Sequence, residues 1–250
     1  MTTCPPWCCL AVPFSFLTLM ACASRRHARS PSNHLVASVP YPYTPSQLAS
    51  GWGDPSNILK HPTEDFYYAA IWNRHQVGLQ APGICMMRTS NLMDPSSWRA
   101  WNGTDYSVQF TSAYTMEPGT EAKHICTVTN LPAGDVPSGC APAGLVFSNH
   151  LHKFVMTLGC GSSFKFATST DLIGWSATQV LDVKHNLQPH ISKMVVGMNY
   201  PTFMDPSAPR VFGDRNYYTI GQNPYLFWTS IGHSPHSDGR HLLATPFHFL

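Results

Sequence analysis

The stretch Arg88-Thr89-Ser90-Asn91-Leu92-Met93-Asp94-Pro95-Ser96-Ser97-Trp98-Arg99-Ala100-Trp101-Asn102-Gly103 decides how the rest of the chain is read. It ends the apolar strand Ile84-Cys85-Met86-Met87-Arg88, crosses a polar turn and resumes an extended segment at Trp98. The same order returns between Phe164 and Leu181. There a strand Phe164-Lys165-Phe166-Ala167 runs into Thr168-Ser169-Thr170-Asp171-Leu172, then Trp175, then the strand Thr178-Gln179-Val180-Leu181. In both copies a Thr-Ser pair precedes Asn or Asp, a Leu and a Trp. The short polar side chains can bond their own turn backbone, and the Leu and Trp are expected to fill the space between layers. A strand-and-turn unit that recurs at long spacing, from Thr89 to Thr168, predicts a radial array of small sheets.

The composition agrees with an all-β chain. Of 250 residues, 22 are Pro and 17 Gly, while only 11% are charged, which favours many turns and few long helices. A hydrophobic share of 43% excludes a disordered chain. The net charge of +2 and the lack of any long Lys/Arg run exclude a broad nucleic-acid-binding face.

Residues 1–24 carry no charge, and Phe14 to Met20 is mostly apolar before Ala21-Cys22-Ala23, a small-x-small pattern suited to cleavage. Leu19-Met20-Ala21-Cys22 also approaches a bacterial lipoprotein signal. The segment reads equally as a signal peptide and as a spurious or truncated start, since no positive residues precede it. Its short apolar core and three prolines exclude a spanning helix. Cleavage after Ala23 would leave Cys85, Cys126, Cys140 and Cys160, an even set with three pairings, of which Cys126–Cys140, flanking a Pro/Gly-rich loop, is the expected one; free buried thiols are the alternative. Asn102-Gly103-Thr104 is a glycosylation sequon on a turn.

Residues 25–50 form an irregular lead-in, with room for one edge strand between Val36 and Tyr43. From Gly51 the chain reads as sheets. Strands at Ile58–Leu59, Phe66–Ile71, Ile84–Arg88 and Trp98–Trp101 make the first. Leu145–Phe147, Lys153–Leu158 and the strands near Phe164 and Val180 make the second. Met194–Val196 or Tyr200–Met204, with Asn216–Ile220 and Pro224–Thr229, make a third. The His-rich tail 232–250 shows only weak strand character.

At Asp54-Pro55-Ser56-Asn57-Ile58, followed by Phe66-Tyr67-Tyr68, the sequence resembles the five-bladed β-propeller glycoside hydrolases, the family 43 and related group of arabinanases and xylosidases. Ser169-Thr170-Asp171-Leu172-Ile173-Gly174-Trp175 matches their Ser-x-Asp-Leu-x-x-Trp motif, and Ser90-Asn91-Leu92 with Trp98 is a looser copy. Tyr200-Pro201-Thr202-Phe203-Met204-Asp205-Pro206 with Pro224-Tyr225-Leu226-Phe227 resembles the closing part of such proteins. The resemblance covers roughly residues 51 to 230, within a propeller-like domain at 51–250. It implies a partial five-bladed propeller of about three to four blades, lacking material on the N-terminal side.

Glycoside hydrolysis needs two carboxyl groups across the scissile bond. In the resembled group a first-blade Asp serves as general base, and residues 1–53 contain neither Asp nor Glu. Asp54 matches the third carboxylate, which holds the acid's pKa up by like-charge repulsion and orients the sugar; its plainer role is to cap the turn before Pro55. The acid's position, a Glu before Gly-Pro, corresponds to Gly139-Cys140-Ala141-Pro142-Ala143-Gly144, which has none. Glu117 in Met116-Glu117-Pro118-Gly119 is the substitute candidate, with a solvated loop carboxylate as its alternative. Trp52, Trp101 and Tyr114, with Trp72, are candidates for stacking on sugar rings, or simply fill layers. His150, His152 and the tail histidines His233, His236 and His241 lack metal-partner spacing, and Asp205 reads as a turn residue. His124 and His190 are weaker candidates for the central funnel that the resemblance implies, a place where it also allows a structural calcium ion.

These residues predict a secreted or extracellular protein, a lipoprotein if bacterial. It is glycoside hydrolase-like, acts on or binds plant- or microbial-type polysaccharide, and is weak or inactive by itself. A monomer with no cofactor, nucleic acid or membrane span is expected. The alternatives are a non-catalytic carbohydrate-binding propeller and a truncated gene product.

Overall fold

The computed structural model describes residues 52–53, 55–73, 79–110, 117, 119–131, 140–161, 163–183, 195–207, 218–232 and 239–250. Within them the chain is all-β. Its helical content is two single 3-10 turns, Pro95–Ser97 and Glu121–Lys123.

The first sheet contains β1 (Trp52–Gly53), β2 (Leu59–Lys60), β3 (Tyr67–Asn73), β4 (Gly83–Thr89), β5 (Arg99–Trp101) and β6 (Tyr106–Val108). Its order is β1-β3-β4-β5-β6, with β2 beside β1 along the same edge of β3, and every pairing is antiparallel. The second contains β7 (Ala141–Ser148), β8 (Lys153–Cys160), β9 (Ser163–Ser169) and β10 (Gln179–Leu181), in antiparallel succession. The third contains β11 (Val195–Met204), β13 (Tyr225–Gly232) and β14 (Arg240–Pro246), in the order β11-β13-β14.

The alternation of side chains along a strand builds the layers. On β3 and β4, Tyr68, Ala70, Trp72, Ile84 and Met86 face the second sheet. There they share a core with Leu145, Phe154, Met156, Leu158, Leu172 and Trp175. The intervening Ala69, Ile71, Cys85 and Met87 turn the other way, onto Trp98, Ala100, Val108 and Phe110. The second sheet is buried on both faces. Val146 and Val155, next in sequence to residues of the first core, join Phe164 and Phe166 against Phe203, Leu226 and Trp228 of the third sheet. Three consecutive sheets therefore stack face to face, as neighbouring blades of a radial array must.

Close approach sets two glycine positions. A Cβ on Gly144 would lie 2.6 Å from the Thr202 hydroxyl and 2.7 Å from that of Thr157, so β7 passes β11 only because the side chain is missing. Gly83 combines a φ of 148° with a Cβ position 2.7 Å from Val128.

Four sequence expectations change. The cysteines pair Cys85–Cys126 and Cys140–Cys160, not Cys126–Cys140. Cys85 and Cys126 meet in the outer core of the first sheet, and Cys140 and Cys160 meet where the free ends of the β7–β8 pair come together. Separation along the chain could not reveal either neighbourhood. Thr219–Ile220, expected in the third sheet, forms β12 and pairs in parallel with β7 in the second. The two alternative starts of the third sheet are one strand, β11, whose register shifts twice, between Val195 and Gly197 and between Asn199 and Thr202. The His-rich tail supplies a full strand, β14, paired with β13 from Arg240–Ile231 to Pro246–Tyr225.

Candidate functional site

The repeated turn is built by the same hydrogen bonds in both sheets. At the end of β4, the Asn91 amide donates to Thr89 Oγ1 at 2.9 Å, and Asn91 Oδ1 accepts from the Met93 amide at 3.0 Å. At the end of β9, the Asp171 and Leu172 amides donate to Ser169 Oγ at 3.2 and 2.9 Å, and Asp171 Oδ1 accepts from the Ile173 and Gly174 amides at 2.9 and 2.8 Å. The structural partner of Thr89 is thus Ser169, one place beyond the Thr168 that sequence matching selects. Burial pushes the Asp171 carboxyl up. The Gly174 and Ile173 amides and the Ser169 hydroxyl outweigh that effect and hold it below its ordinary value. Leu172 is fully buried at a φ of 66°, and Trp175 beside it is buried in the core between the first two sheets. Leu92, expected to do the same, is 38% exposed, and Trp98 is buried in the outer core of the first sheet rather than between the sheets.

Three side-chain amides lock loops onto distant backbone, each by a donor and an acceptor on one residue. Asn57 Oδ1 accepts from the Leu145 amide at 2.6 Å while its Nδ2 donates to the Leu145 carbonyl at 2.9 Å. Asn130 takes the Trp175 amide at 2.7 Å and gives to its carbonyl at 3.2 Å. Gln80, buried, does the same to Cys126, at 2.9 and 3.2 Å. A carboxamide has the donor and acceptor of a peptide group, so each side chain acts as a one-residue strand. Two of the three join the first sheet's segments to the second sheet.

Between the first two sheets lies a polar and aromatic cluster. The Arg88 guanidinium sits between the rings of Phe66 and Tyr106, 4.1 and 4.4 Å from their centres. It donates to Tyr68 Oη at 3.2 Å, and Tyr68 Oη donates to Glu64 Oε2 at 2.8 Å. Burial raises the Tyr68 hydroxyl to about 12, and burial also raises that of Tyr106. His61 packs against Tyr68 and Phe154, with ring centres 5.6 and 5.1 Å away. Its Nδ1 accepts from the Glu64 and Thr63 amides at 3.0 and 3.3 Å. Burial lowers the His61 pKa, with Lys60 and Arg88 adding to the effect against the pull of Glu64. Glu64 lies in the bend between β2 and β3. Its side chain is 46% exposed, yet its carboxylate is tied to Tyr68 and stands 3.8 Å from Arg88. No spacing rule links residues 61, 64, 68, 88 and 106; strand pairing brings them together.

Of the site residues expected from the sequence, only some fall within the described residues. Asp54, Tyr114, His190, His233 and His236 lie outside the described residues. Trp52 stands in β1, opposite Asn73. Trp101 is half-buried in β5 with its ring edge-on to Tyr106 at 5.1 Å, and its carbonyl accepts from the Thr127 amide at 2.8 Å. Trp72 is buried between sheets and presents no face to a sugar. Glu117 is exposed on a turn closed by the Thr120 amide and hydroxyl donating to its carbonyl at 3.2 and 2.7 Å. Asp205 has the turn role expected of it: its carboxylate accepts from the Ser207 amide at 2.9 Å and the Gly221 amide at 2.8 Å. His124 pairs with the Gln109 carbonyl at 2.7 Å, while His150, His152 and His241 are exposed. Among the described residues no three His, Cys, Asp or Glu gather to hold a metal ion, and no helix is long and apolar enough to cross a membrane.

No family model matches the chain. No curated protein matches it either. Among solved structures, it is similar to the catalytic domain of the GH62 alpha-L-arabinofuranosidase of Coprinopsis cinerea, with a TM-score of 0.42 and 11% identity over 85% of this chain and 51% of that one. The alpha-L-arabinofuranosidase of Podospora anserina, solved in complex with cellotriose, gives a TM-score of 0.42 and 10% identity over 84% of this chain and 52% of that one. The chain thus spans about half the length of these structures. At this level of likeness they assign neither residues nor activity to it.

Proposed function

We propose that the chain handles carbohydrate on the scaffold of a five-bladed β-propeller glycoside hydrolase, and that by itself it binds sugar without turning it over. The observation that carries this reading is the repeated turn. The Ser169-x-Asp171-Leu172-x-x-Trp175 motif that prompted the resemblance folds as one hydrogen-bonded unit, and its looser copy at Thr89–Trp98 ends the corresponding strand of the adjacent stacked sheet. The polar turn that opens this motif thus recurs in the adjacent sheet with the same amide-to-hydroxyl and amide-to-Oδ1 hydrogen bonds, which supports reading the two sheets as repeats. Two disulfides fit an oxidising, extracellular setting.

Asp54 is the residue on which sugar binding is staked, with Trp52, Trp101 and Tyr114 as ring-stacking partners. Glu117 is the only acid candidate, and it occupies an exposed turn, a poor place to protonate a leaving group in a dry cleft. The 250-residue chain should bind a subset of oligosaccharides on a glycan array, and Asp54→Ala should lose that binding. It should release no detectable aglycone from aryl arabinofuranosides or xylosides. Turnover that vanishes in Asp54→Asn would show instead a working hydrolase. A folded chain that binds no glycan would end the carbohydrate reading.

A further inference from the structure

We infer that Asn102 is an acceptor for N-linked glycosylation, presented by the hairpin between β5 and β6. Asn102-Gly103-Thr104 is the only Asn-x-Ser/Thr triplet in the 250 residues, and Gly, not Pro, fills its middle position. Such triplets occur by chance, so the fold around this one decides its use. All three residues are exposed, together with Asp105, at the point where the chain reverses between Trp101 and Tyr106. Gly103 makes the reversal at a φ of 107°.

The hairpin holds the two recognition groups side by side. Thr104 Oγ1 donates to Asn102 Oδ1 at 2.9 Å, and the Thr104 and Asp105 amides donate to the same oxygen at 2.7 and 2.8 Å. Three donors on the carbonyl oxygen draw electron density from the amide and acidify the hydrogens on Nδ2. A transferase therefore meets the carboxamide and the threonine hydroxyl as one unit.

The step balances with one co-reactant, an oligosaccharide carried on a polyprenyl pyrophosphate. Asn102 Nδ2 attacks the anomeric carbon and the N–C bond forms. The C–O bond to the lipid pyrophosphate breaks, and its electron pair leaves with the phosphate. One Nδ2 proton passes to a base of the transferase; nothing is oxidised or reduced. The hydrogen that stays on Nδ2 can keep its bond to Ser107 Oγ, now 2.8 Å. The turn thus accepts a glycan without losing an internal hydrogen bond. The disulfides Cys85–Cys126 and Cys140–Cys160 call for the same oxidising lumen in which such transfer occurs.

The test is to secrete the full chain from yeast or insect cells behind a strong leader, then treat it with peptide N-glycosidase in heavy-oxygen water and map the peptides. Asn102 should return as heavy-oxygen Asp. The intact protein should carry a mass increment that the enzyme removes. Asn102→Gln and Thr104→Ala should abolish the increment, and Thr104→Ser should retain it. Secreted protein with both disulfides formed and an unmodified Asn102 would overturn the assignment, as would an increment that survives Asn102→Gln. Glycan-array binding is a separate readout, so the two proposals can fail independently.

Discussion

His61 carries the sharpest acid–base consequence of any single residue. Its Nδ1 faces two backbone N–H donors, so a proton there would convert an acceptor into a third donor. Burial and the nearby cations Lys60 and Arg88 work in the same direction. A histidine whose folded pKa is depressed stabilises the fold fully above its unfolded value, and that contribution is lost as pH falls through the folded one. Between about pH 8 and about pH 5 the midpoint of thermal melting should fall, and it should fall less in His61→Phe, which keeps a ring between Tyr68 and Phe154. A variant with the wild-type slope would show that the loss comes from other histidines. Asp171 acts in a lower window. Its carboxyl is held below the ordinary value of 3.8, so its contribution is present above that pH and disappears as pH falls through the folded pKa. Asp171→Asn keeps an Oδ1 acceptor for the Ile173 and Gly174 amides, so acid melting curves of the variant should be flatter below about pH 4. Glu64 marks the limit of sequence reading at this scale: its tie to Tyr68 and Arg88 depends on which strands lie side by side.

At the scale of elements, the amide clamps do work that no strand pairing does. Asn57→Ala would strip the Leu145 amide and carbonyl of their partner at the seam between the first two sheets. The cost should be about 1–3 kcal/mol, read as a lower urea midpoint at unchanged slope. Asn57→Asp retains the acceptor but turns a carboxylate oxygen onto the Leu145 carbonyl, so its midpoint should also fall below that of the wild type. Equal midpoints for wild type and Asn57→Ala would mean that water replaces the clamp at no cost. The strands of the first two sheets were legible because apolar runs alternate with turns rich in Ser, Asn, Asp and Pro. β14 was not: Arg240, His241 and Ala244 hide its period, and its inward residues Leu243 and Thr245 meet a core made by other strands. β12 was misplaced for the converse reason. Its apolar character was plain, but its partner, β7, is more than seventy residues away and parallel.

For the molecule as a whole, the middle sheet couples the other two. Its opposite faces feed both inter-sheet cores, so damage to either should be felt throughout. Trp228, fully buried in the third sheet, packs edge-on to Phe164 of the second at 5.7 Å. Trp228→Ala should cost about 3–5 kcal/mol and lower one shared transition. Two separate transitions, followed by tryptophan fluorescence and by circular dichroism, would show that the third sheet folds on its own. Both disulfides join cysteines whose strands or loops belong to a single sheet's neighbourhood, so the stacking itself depends on side-chain packing and the amide clamps.

The sequence by itself determined that the chain is all-β, where most strands of the first two sheets run, and that a polar turn with a following Trp recurs. These are local properties, set by the alternation of side chains and by what Ser, Thr, Asn and Asp do to their own backbone. Only the tertiary structure decided which cysteines pair, that Thr89 corresponds to Ser169, that Leu92 faces solvent while its counterpart Leu172 is buried, and that β12 belongs to the second sheet. Each of those depends on contacts between residues far apart in the chain, and spacing along a polymer does not encode who meets whom once sheets stack.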